Sequence, residues 1–246
     1  MAHTHAMRAA ILTIGNELVS GDVENTNASW LARRLESIGV RVVLSASIPD
    51  ELDTIVEFVR REGARVDVLL VTGGLGGTPD DITRQALAAA YGVPQVEVAE
   101  LAADLRARFS WDPDYAARWA LLPEGSRPLV NPRGGAPGFA IGNAWVMPGL
   151  PSEMEAMFDR YASEIGSARP IGSWRRVFAT GESRIAAVLE EATARWPTVR
   201  VGSYPSFHPE GPEVELVLKS SDEGALAEAT AFLEPAVEAI AALHRR

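Results

Sequence analysis

The sequence predicts an α/β protein: a three-layer α/β/α main domain built on a mostly parallel sheet, followed by a small carboxy-terminal α+β domain. Three observations carry that expectation. Val66, Val68, Leu69, Leu70 and Val71 form a short β-branched apolar run with no alternation, as suits a strand buried on both faces of a parallel sheet. Strand-like and helix-like stretches alternate as βαβαβ up to Thr72, and right-handed crossovers make that order a doubly wound parallel sheet. Gly166–Gly172 reads as a linker, beyond which the order changes to βαββα, the pattern of helices laid on an antiparallel sheet. The expected boundary separates residues 1–167 from residues 168–246.

Ala9–Ile14 is the expected first strand, and Gly15–Leu18 leaves its end as a turn. A polar segment, Ser20–Thr26, delays the next helix. Asn27 is the expected N-cap of a helix over Ala28–Ile38, with Leu31, Leu35 and Ile38 on one face and Gly39 as its stop. Connections in βα units usually run about 2–6 residues. The longer segment here carries Glu17, Asp22, Glu24, Asn25 and Asn27, which marks it as a binding loop at a strand's carboxyl end. Val40–Ala46 is the second strand. Pro49-Asp50 opens a helix with Leu52, Ile55, Val56 and Val59 on one face, and Gly63 closes it before the third strand, Val66–Thr72.

After Thr72 the chain reads G-G-L-G-G-T-P-D-D, with glycines at Gly73, Gly74, Gly76 and Gly77. So few side chains let backbone N–H groups approach an anion. Thr78 is the expected N-cap, Pro79 the first helical residue and Asp81 the partner of a T-x-x-D capping box. The helix would then point its free N–H groups and positive dipole end at the ligand. Asp80 and Asp81 would repel a phosphate there unless a divalent cation lay between them. Two readings stay open: a metal-bridged diphosphate site, or a tight turn beside ordinary capping aspartates. The spacing lacks the lysine of G-x-x-x-x-G-K-[ST] and does not match G-x-G-x-x-G.

That helix is expected to run to Tyr91, and Gln95–Phe109 is a second helical stretch. Pro113 and Asp114 start a short helix through Tyr115 and Trp119 whose aromatics are core, lid or partner surface, core being favoured by their helical spacing. Arg127–Val130 and Phe139–Ile141 are short strands around the glycine- and proline-rich Asn131–Gly138. Ala144–Met147 is a further strand, and Gly149, Pro151 and Ser152 repeat the sequence of strand, glycine turn and helix start, with the helix over Ser152–Ile165. In the small domain, strands are expected at Trp174–Thr180, Val199–Tyr204 and Val214–Ser220. Helices are expected at Ser183–Trp196 and from an Asp222 cap to Leu243, with Ser203–Pro205 and Phe207–Pro209 in a loop.

Composition narrows the chemistry. A formal net charge of −10 argues against a nucleic-acid backbone or an anionic membrane as a general partner. There is no cysteine, hence no disulfide, thiol nucleophile or cysteine-based zinc site. No run approaches a membrane span and the amino terminus has no signal-peptide core, so a cytoplasmic protein is expected. His3 and His5 fall in an expected frayed terminus, and His208, between aromatics and prolines, reads as structural. With no histidine near the glycine turn, the remaining route is metal-assisted displacement at phosphorus. Asp80, Asp81 and Glu17 would hold Mg²⁺, Mn²⁺ or Co²⁺; Gly74, Gly76 and Gly77 would meet the phosphates beside Thr78; Asn25 and Asn27 would contact ribose or base.

The stretch T-G-G-L-G-G-T-P-D-D-I-T resembles the signature of the molybdopterin-binding fold family, which includes MogA, MoaB and the MoeA middle domain, and most of all the amino-terminal domain of CinA. I-G-N-E-L-V-S-G-D-V-E-N-T-N at Ile14–Asn27, N-P-R-G-G-A-P-G-F at Asn131–Phe139 and M-P-G-L-P-S-E-M at Met147–Met154 follow in that family's order. The resemblance implies a molybdopterin-binding-like fold and metal-dependent hydrolysis of ADP-ribose-type nucleotide diphosphates. MogA relatives instead transfer AMP from ATP to molybdopterin, so a pterin ligand and adenylyl transfer form a second reading, and a non-catalytic nucleotide-binding protein a third. The resemblance puts Asp81 at the family's catalytic acid and Asp80 where MogA-like members carry arginine. Two positions depart from it: Asn16 stands where the family usually has Asp, and Gly77 where CinA-like sequences usually have Pro. The deamidase domain of full-length CinA is not matched. Relatives are oligomeric, which implies a homo-oligomer, with a dimer favoured.

Overall fold

The structure is a computed structural model that describes residues 7–166 and 170–243. It divides into two compact units, residues 1–168 and 169–246. His3, His5 and residues 167–169 of the expected linker lie outside the described residues.

The first unit begins with β1 (Met7–Ile14), α1 (Asn16–Ser20), α2 (Thr26–Ser37), β2 (Val40–Ile48), α3 (Leu52–Gly63), β3 (Val68–Thr72) and α4 (Thr83–Tyr91). It continues with β4 (Gln95–Glu97), α5 (Ala99–Arg108), α6 (Pro113–Ala117), a 3-10 turn at Arg118–Ala120, β5 (Leu121–Pro123), β6 (Arg127–Leu129), β7 (Gly138–Ile141), β8 (Ala144–Met147) and α7 (Pro151–Ile165). Six strands form one sheet in the order β2-β1-β3-β8-β7-β6. β2, β1, β3 and β8 run parallel, and β7 and β6 close the edge antiparallel.

Both faces are covered, which makes the three layers. Successive side chains of a strand point to opposite faces. Ala10, Leu12 and Ile14 of β1 accordingly meet Ile55 and Val59 of α3 and Leu87 of α4, while Ala9 and Ile11 meet Leu31 and Leu35 of α2 and Met154 and Phe158 of α7. All five β3 residues are buried, which is why that strand reads as an unbroken apolar run. Each fully buried Leu or Phe contributes about 1.5–3 kcal/mol, and the sheet core is where most of that burial is found. The chain moves outward from β1 to β2 and then back across β1 to β3. That reversal opens a crevice beyond the carboxyl ends of the strands, the usual ligand position in open α/β sheets.

The second unit holds β9 (Gly172–Phe178), α8 (Glu182–Arg195), β10 (Arg200–His208), β11 (Gly211–Ser220) and α9 (Glu223–Ala242). Its sheet runs β10-β11-β9, all antiparallel. Ile185 and Ala192 of α8 and Leu233 and Val237 of α9 bury Leu216 and Leu218 of β11. Asp222 caps α9 by accepting from the Ala225 N–H at 3.0 Å. Among the described residues no helix is long and apolar enough to cross a membrane.

Several local expectations are corrected. Gly15–Leu18 is not a simple turn, since α1 starts at Asn16. The cap of α2 is Asn25, whose Oδ1 accepts from the Ala28 N–H at 3.0 Å, because Asn27 points inward. Gln95–Glu97 is a strand paired with β5 rather than the start of a helix. Ser203–His208 lies inside β10, paired residue by residue with β11; Pro205 is tolerated there because β10 is an edge strand. His208 sits at the end of that hairpin, its Nε2 3.6 Å from Glu213. The largest difference is α4, which starts at Thr83 and not at Pro79; its cause lies in the glycine turn.

Candidate active site

Three strand ends are locked together by backbone packing. Gly73 adopts φ +103°, and a Cβ there would lie 2.1 Å from the Ile14 carbonyl oxygen at the end of β1. The Gly149 turn after β8 packs on the other side, where a Cβ on Gly149 would lie 3.3 Å from the Gly73 Cα. Asn27 ties the same parts through its side-chain amide, which donates to the Gly149 carbonyl at 2.7 Å and to the Thr72 hydroxyl at 3.3 Å. Glycine is required at position 73 by the Ile14 contact and by the left-handed backbone, while at position 149 the close approach alone favours it.

The turn itself is held from both sides. Arg84, buried in the first turn of α4, donates to the carbonyl oxygens of Leu75 at 2.5 Å and Gly76 at 3.1 Å. Burial pushes its pKa down to about 10, with Asp81 and Tyr115 acting in the opposite direction, so it remains a cation at neutral pH. Thr83 adds a hydroxyl bond to the Gly73 carbonyl at 2.9 Å. On the amide side, Asp81 accepts from the N–H of Gly76 and of Thr78, both at 2.8 Å, and from the Thr78 hydroxyl at 2.5 Å. Asp81 thus folds its carboxylate back into the turn. That is why Thr78 does not cap a helix, and why the helix waits until Thr83. Of the Gly74, Gly76 and Gly77 amides expected to meet a phosphate, that of Gly76 is therefore already taken by Asp81. Among the described residues no protein acceptor meets the N–H of Gly74 or Leu75.

A cleft of about 610 Å³ opens at this end of the sheet. Glu17, Glu24, Asp50, Asp80, Asp81 and Glu153 line it, and among the described residues no lysine or arginine does. Gly73, Gly74, Gly76, Asn25, Asn27, Gly149 and Pro151 also reach it, whereas Gly77, Thr78 and Ser152 do not. Gly77 is covered by Tyr115: a Cβ on it would lie 2.6 Å from the tyrosine ring. Asn25 has its amide spent on the hydroxyls of Thr13 at 2.8 Å and Ser47 at 2.9 Å and its carbonyl on the α2 cap, so it positions the loop. Asn27 keeps one buried oxygen, Oδ1, without a partner.

Glu17, Asp80 and Asp81 are not gathered into a metal cage, and among the described residues no three His, Asp or Glu side chains are. Asp81 is turned into the glycine turn, and the Glu17 carboxylate folds over Gly15, where a Cβ would meet its Oε1 at 2.4 Å. Asp80 is exposed. The neighbouring Thr78 hydroxyl, and then its own backbone N–H, hold its pKa below the ordinary value; that hydroxyl has one proton, and its 2.5 Å contact is to Asp81, so the two carboxylates compete for it.

Asp50 and Arg84 are the residues that motif reading passes over. Asp50, read as a helix opener, faces the cleft, and burial raises its pKa, as do the charges of Glu17, Asp80 and Asp81, against the lowering bond from the Asn16 N–H at 2.9 Å. Arg84 gave no signal in the sequence, because a helix expected from Pro79 places it in the second turn; only with α4 starting at Thr83 does it become a cation in a first turn, where it opposes the dipole.

Two outcomes follow from this geometry. Because the folded-state pKa of Asp50 lies above the unfolded value, the fold holds a proton that the unfolded chain releases, and stability falls as pH rises through that interval. Asp50→Asn therefore raises the melting temperature at pH 7, and the difference from wild type closes as the pH approaches about 4; melts that stay parallel across this range would contradict the assignment. Arg84→Met leaves the Leu75 and Gly76 carbonyls without donors and lowers stability in urea titrations by about 2–4 kcal/mol. Arg84→Lys gives only partial recovery, since an ammonium lacks the planar fork that reaches two carbonyls.

Comparison with known proteins agrees with this architecture. A family model described as a probable molybdopterin binding domain matches residues 10–166, and one described as the middle domain of FAD synthase matches residues 176–244. A CinA-like protein of Citrifermentans bemidjiense is 38% identical over 228 residues, covering 87% of this chain and 54% of its own length, so the chain spans about half of that relative. A protein of Aeropyrum pernix is 36% identical over 252 residues, covering 97% of this chain and 91% of its own length. The crystal structure of CinA from Thermoplasma acidophilum, described as of unknown function, superposes with a TM-score of 0.61 at 31% identity, over 65% of this chain and 98% of that one. The chain belongs to the molybdopterin-binding domain family, in its CinA-like branch.

Proposed function

We propose that the first unit hydrolyses the phosphoanhydride of a nucleotide diphosphate compound of the ADP-ribose type, assisted by a divalent cation such as Mg²⁺, Mn²⁺ or Co²⁺. One observation carries the reading: among the described residues six carboxylates and no basic side chain line a cleft that is also lined by Gly74 and Leu75, whose N–H groups meet no protein acceptor. Amides of that kind favour an anion, and the acids tolerate one only with a cation between.

The donors fit such a cation. They are all oxygens, and Mg²⁺ is commonly held by one or two carboxylates together with substrate phosphates and water rather than by a closed protein cage. Asp80, exposed and with its pKa lowered, is the foremost ligand, with Glu17 of α1 also lining the cleft. When bound, the cation would offset phosphate charge and polarise the anhydride. Gly74 and Leu75 would hold phosphate oxygens by N–H donation. Asp81 would keep the turn open by occupying the Gly76 and Thr78 amides, a positioning role. Asp50, the carboxyl with the raised pKa, is the best proton acceptor for an attacking water.

A second reading, ligand binding without turnover, draws on the same Asp81 contacts, because they use amides that a phosphate would otherwise take. A pterin ligand, as the family description names, is compatible with it; adenylyl transfer from ATP to molybdopterin is a separate, catalytic alternative.

Incubation with ADP-ribose is expected to yield AMP and ribose 5-phosphate with Mg²⁺, Mn²⁺ or Co²⁺ and none in chelator. Asp80→Asn is expected to lower turnover by about 10²-fold or more with an unchanged melting temperature. Binding of ADP-ribose with no AMP released under any of the three metals would decide for the second reading.

A further inference from the structure

The acidic end of the cleft accounts for phosphates but not for its other wall, where Trp119 stands. Trp119 is partly exposed, yet its indole N–H is buried and has no acceptor in the protein. A buried donor is rarely left unpaired in a native fold. The ring is also fixed in place. Phe109 meets it edge-on with centroids 5.1 Å apart and planes at 85°, and Tyr115 does so at 5.9 Å and 72°. Tyr115 in turn lies against Gly77, where any Cβ would come within 2.6 Å of its ring. The aromatic wall is thus joined by direct contact to the turn that carries the open amides.

We propose that Trp119 is the subsite for the flat heterocycle of the ligand, receiving a purine-type base while the Gly74–Gly76 turn receives the phosphates. A cleft of about 610 Å³ has room for both parts, and drug-sized ligands generally occupy clefts of about 300–1,000 Å³. A rigid ring tolerates any base with a π-face. Tyr115 is a positioning residue: through Phe109, Tyr115 and Gly77 the chain sets where the base lies relative to the phosphates. The proposal rests on the phosphoanhydride reading only for the location of the phosphate end, and the test separates the two.

Binding of AMP and of inorganic pyrophosphate, each with Mg²⁺, is measured by calorimetry on the full chain. The comparison includes wild type, Trp119→Ala and Trp119→Phe, each first checked by thermal melting. Trp119→Ala is expected to weaken AMP by about tenfold or more and to change pyrophosphate less than twofold. Trp119→Phe, which keeps a ring and loses the N–H, falls between, and is the variant to rely on if the alanine form does not fold. Equal weakening of both ligands, no weakening of AMP, or no binding of AMP to wild type overturns the subsite. Selective loss of AMP in a protein that never releases AMP from ADP-ribose leaves the subsite standing and removes the hydrolytic reading.

Discussion

The site depends on one clamp: a buried guanidinium on the carbonyl side of the glycine turn and a carboxylate on its amide side. Arg84 takes the Leu75 and Gly76 carbonyls and Asp81 takes the Gly76 and Thr78 amides, so the turn is fixed before any ligand arrives. A glycine-rich segment loses more conformational freedom on ordering than any other, and left alone it would present its amides in many directions. Opposite charges applied to the two ends of its peptide dipoles reduce that to one. The consequence reaches α4. The helix yields Asp81 to the clamp and starts at Thr83 instead, so the amides left without a protein acceptor among the described residues, those of Gly74 and Leu75, belong to the turn and not to a helix end.

The clamp also sorts the carboxylates by role. Asp81 is consumed by structure, Glu17 is folded over Gly15, and Asp80 stands ionised at the mouth. Asp50 receives the repulsion of the other three in a partly buried position, where burial already disfavours its charge. Carboxylates held apart in this way do not form a metal cage by themselves, but they leave a strongly negative cleft whose occupancy by an anion and by a cation is mutually dependent. Each would raise the affinity for the other, a coupling that follows from Coulomb's law in a partly desolvated cleft.

Much of the fold was legible in the sequence because it rests on local pattern. The unbroken apolar run of β3, the stripe at Leu31 and Leu35, and the stop at Gly39 each report burial or backbone geometry that the residues themselves impose. What escaped depends on partners distant along the chain. Gln95–Glu97 is a strand only because Leu121–Pro123 lies beside it. Asn25 and not Asn27 caps α2 because Asn27 has partners in Thr72 and Gly149. Ser203–His208 is ordered strand only through β11. At the site, the glycines and acids were visible as a motif, but the direction of the Asp81 side chain was not, since capping a helix and folding into a turn use the same residue at the same spacing. Trp119 fitted a helical core pattern and does pack on the small cluster around Ala102 and Leu105, but it also lines the cleft, which the pattern did not show.

The two departures from the family pattern, Asn16 and Gly77, have local counterparts. Asn16 exchanges hydrogen bonds with Asp50, its N–H donating to the Asp50 carboxylate at 2.9 Å and its Oδ1 accepting from the Asp50 N–H at 3.3 Å. An aspartate at that position would keep the second bond but add a charge beside a carboxyl already destabilised by three others, so the neutral side chain limits the acid load of the cleft. A proline at position 77 would drive its ring into Tyr115, whereas glycine lets the tyrosine close over the turn and brace Trp119. Asn16 thus tempers the charge of the cleft, and Gly77 makes room for Tyr115 beside Trp119. Each change is compensated by a residue it touches, which is how a packed and charged cleft accommodates substitution without losing its shape.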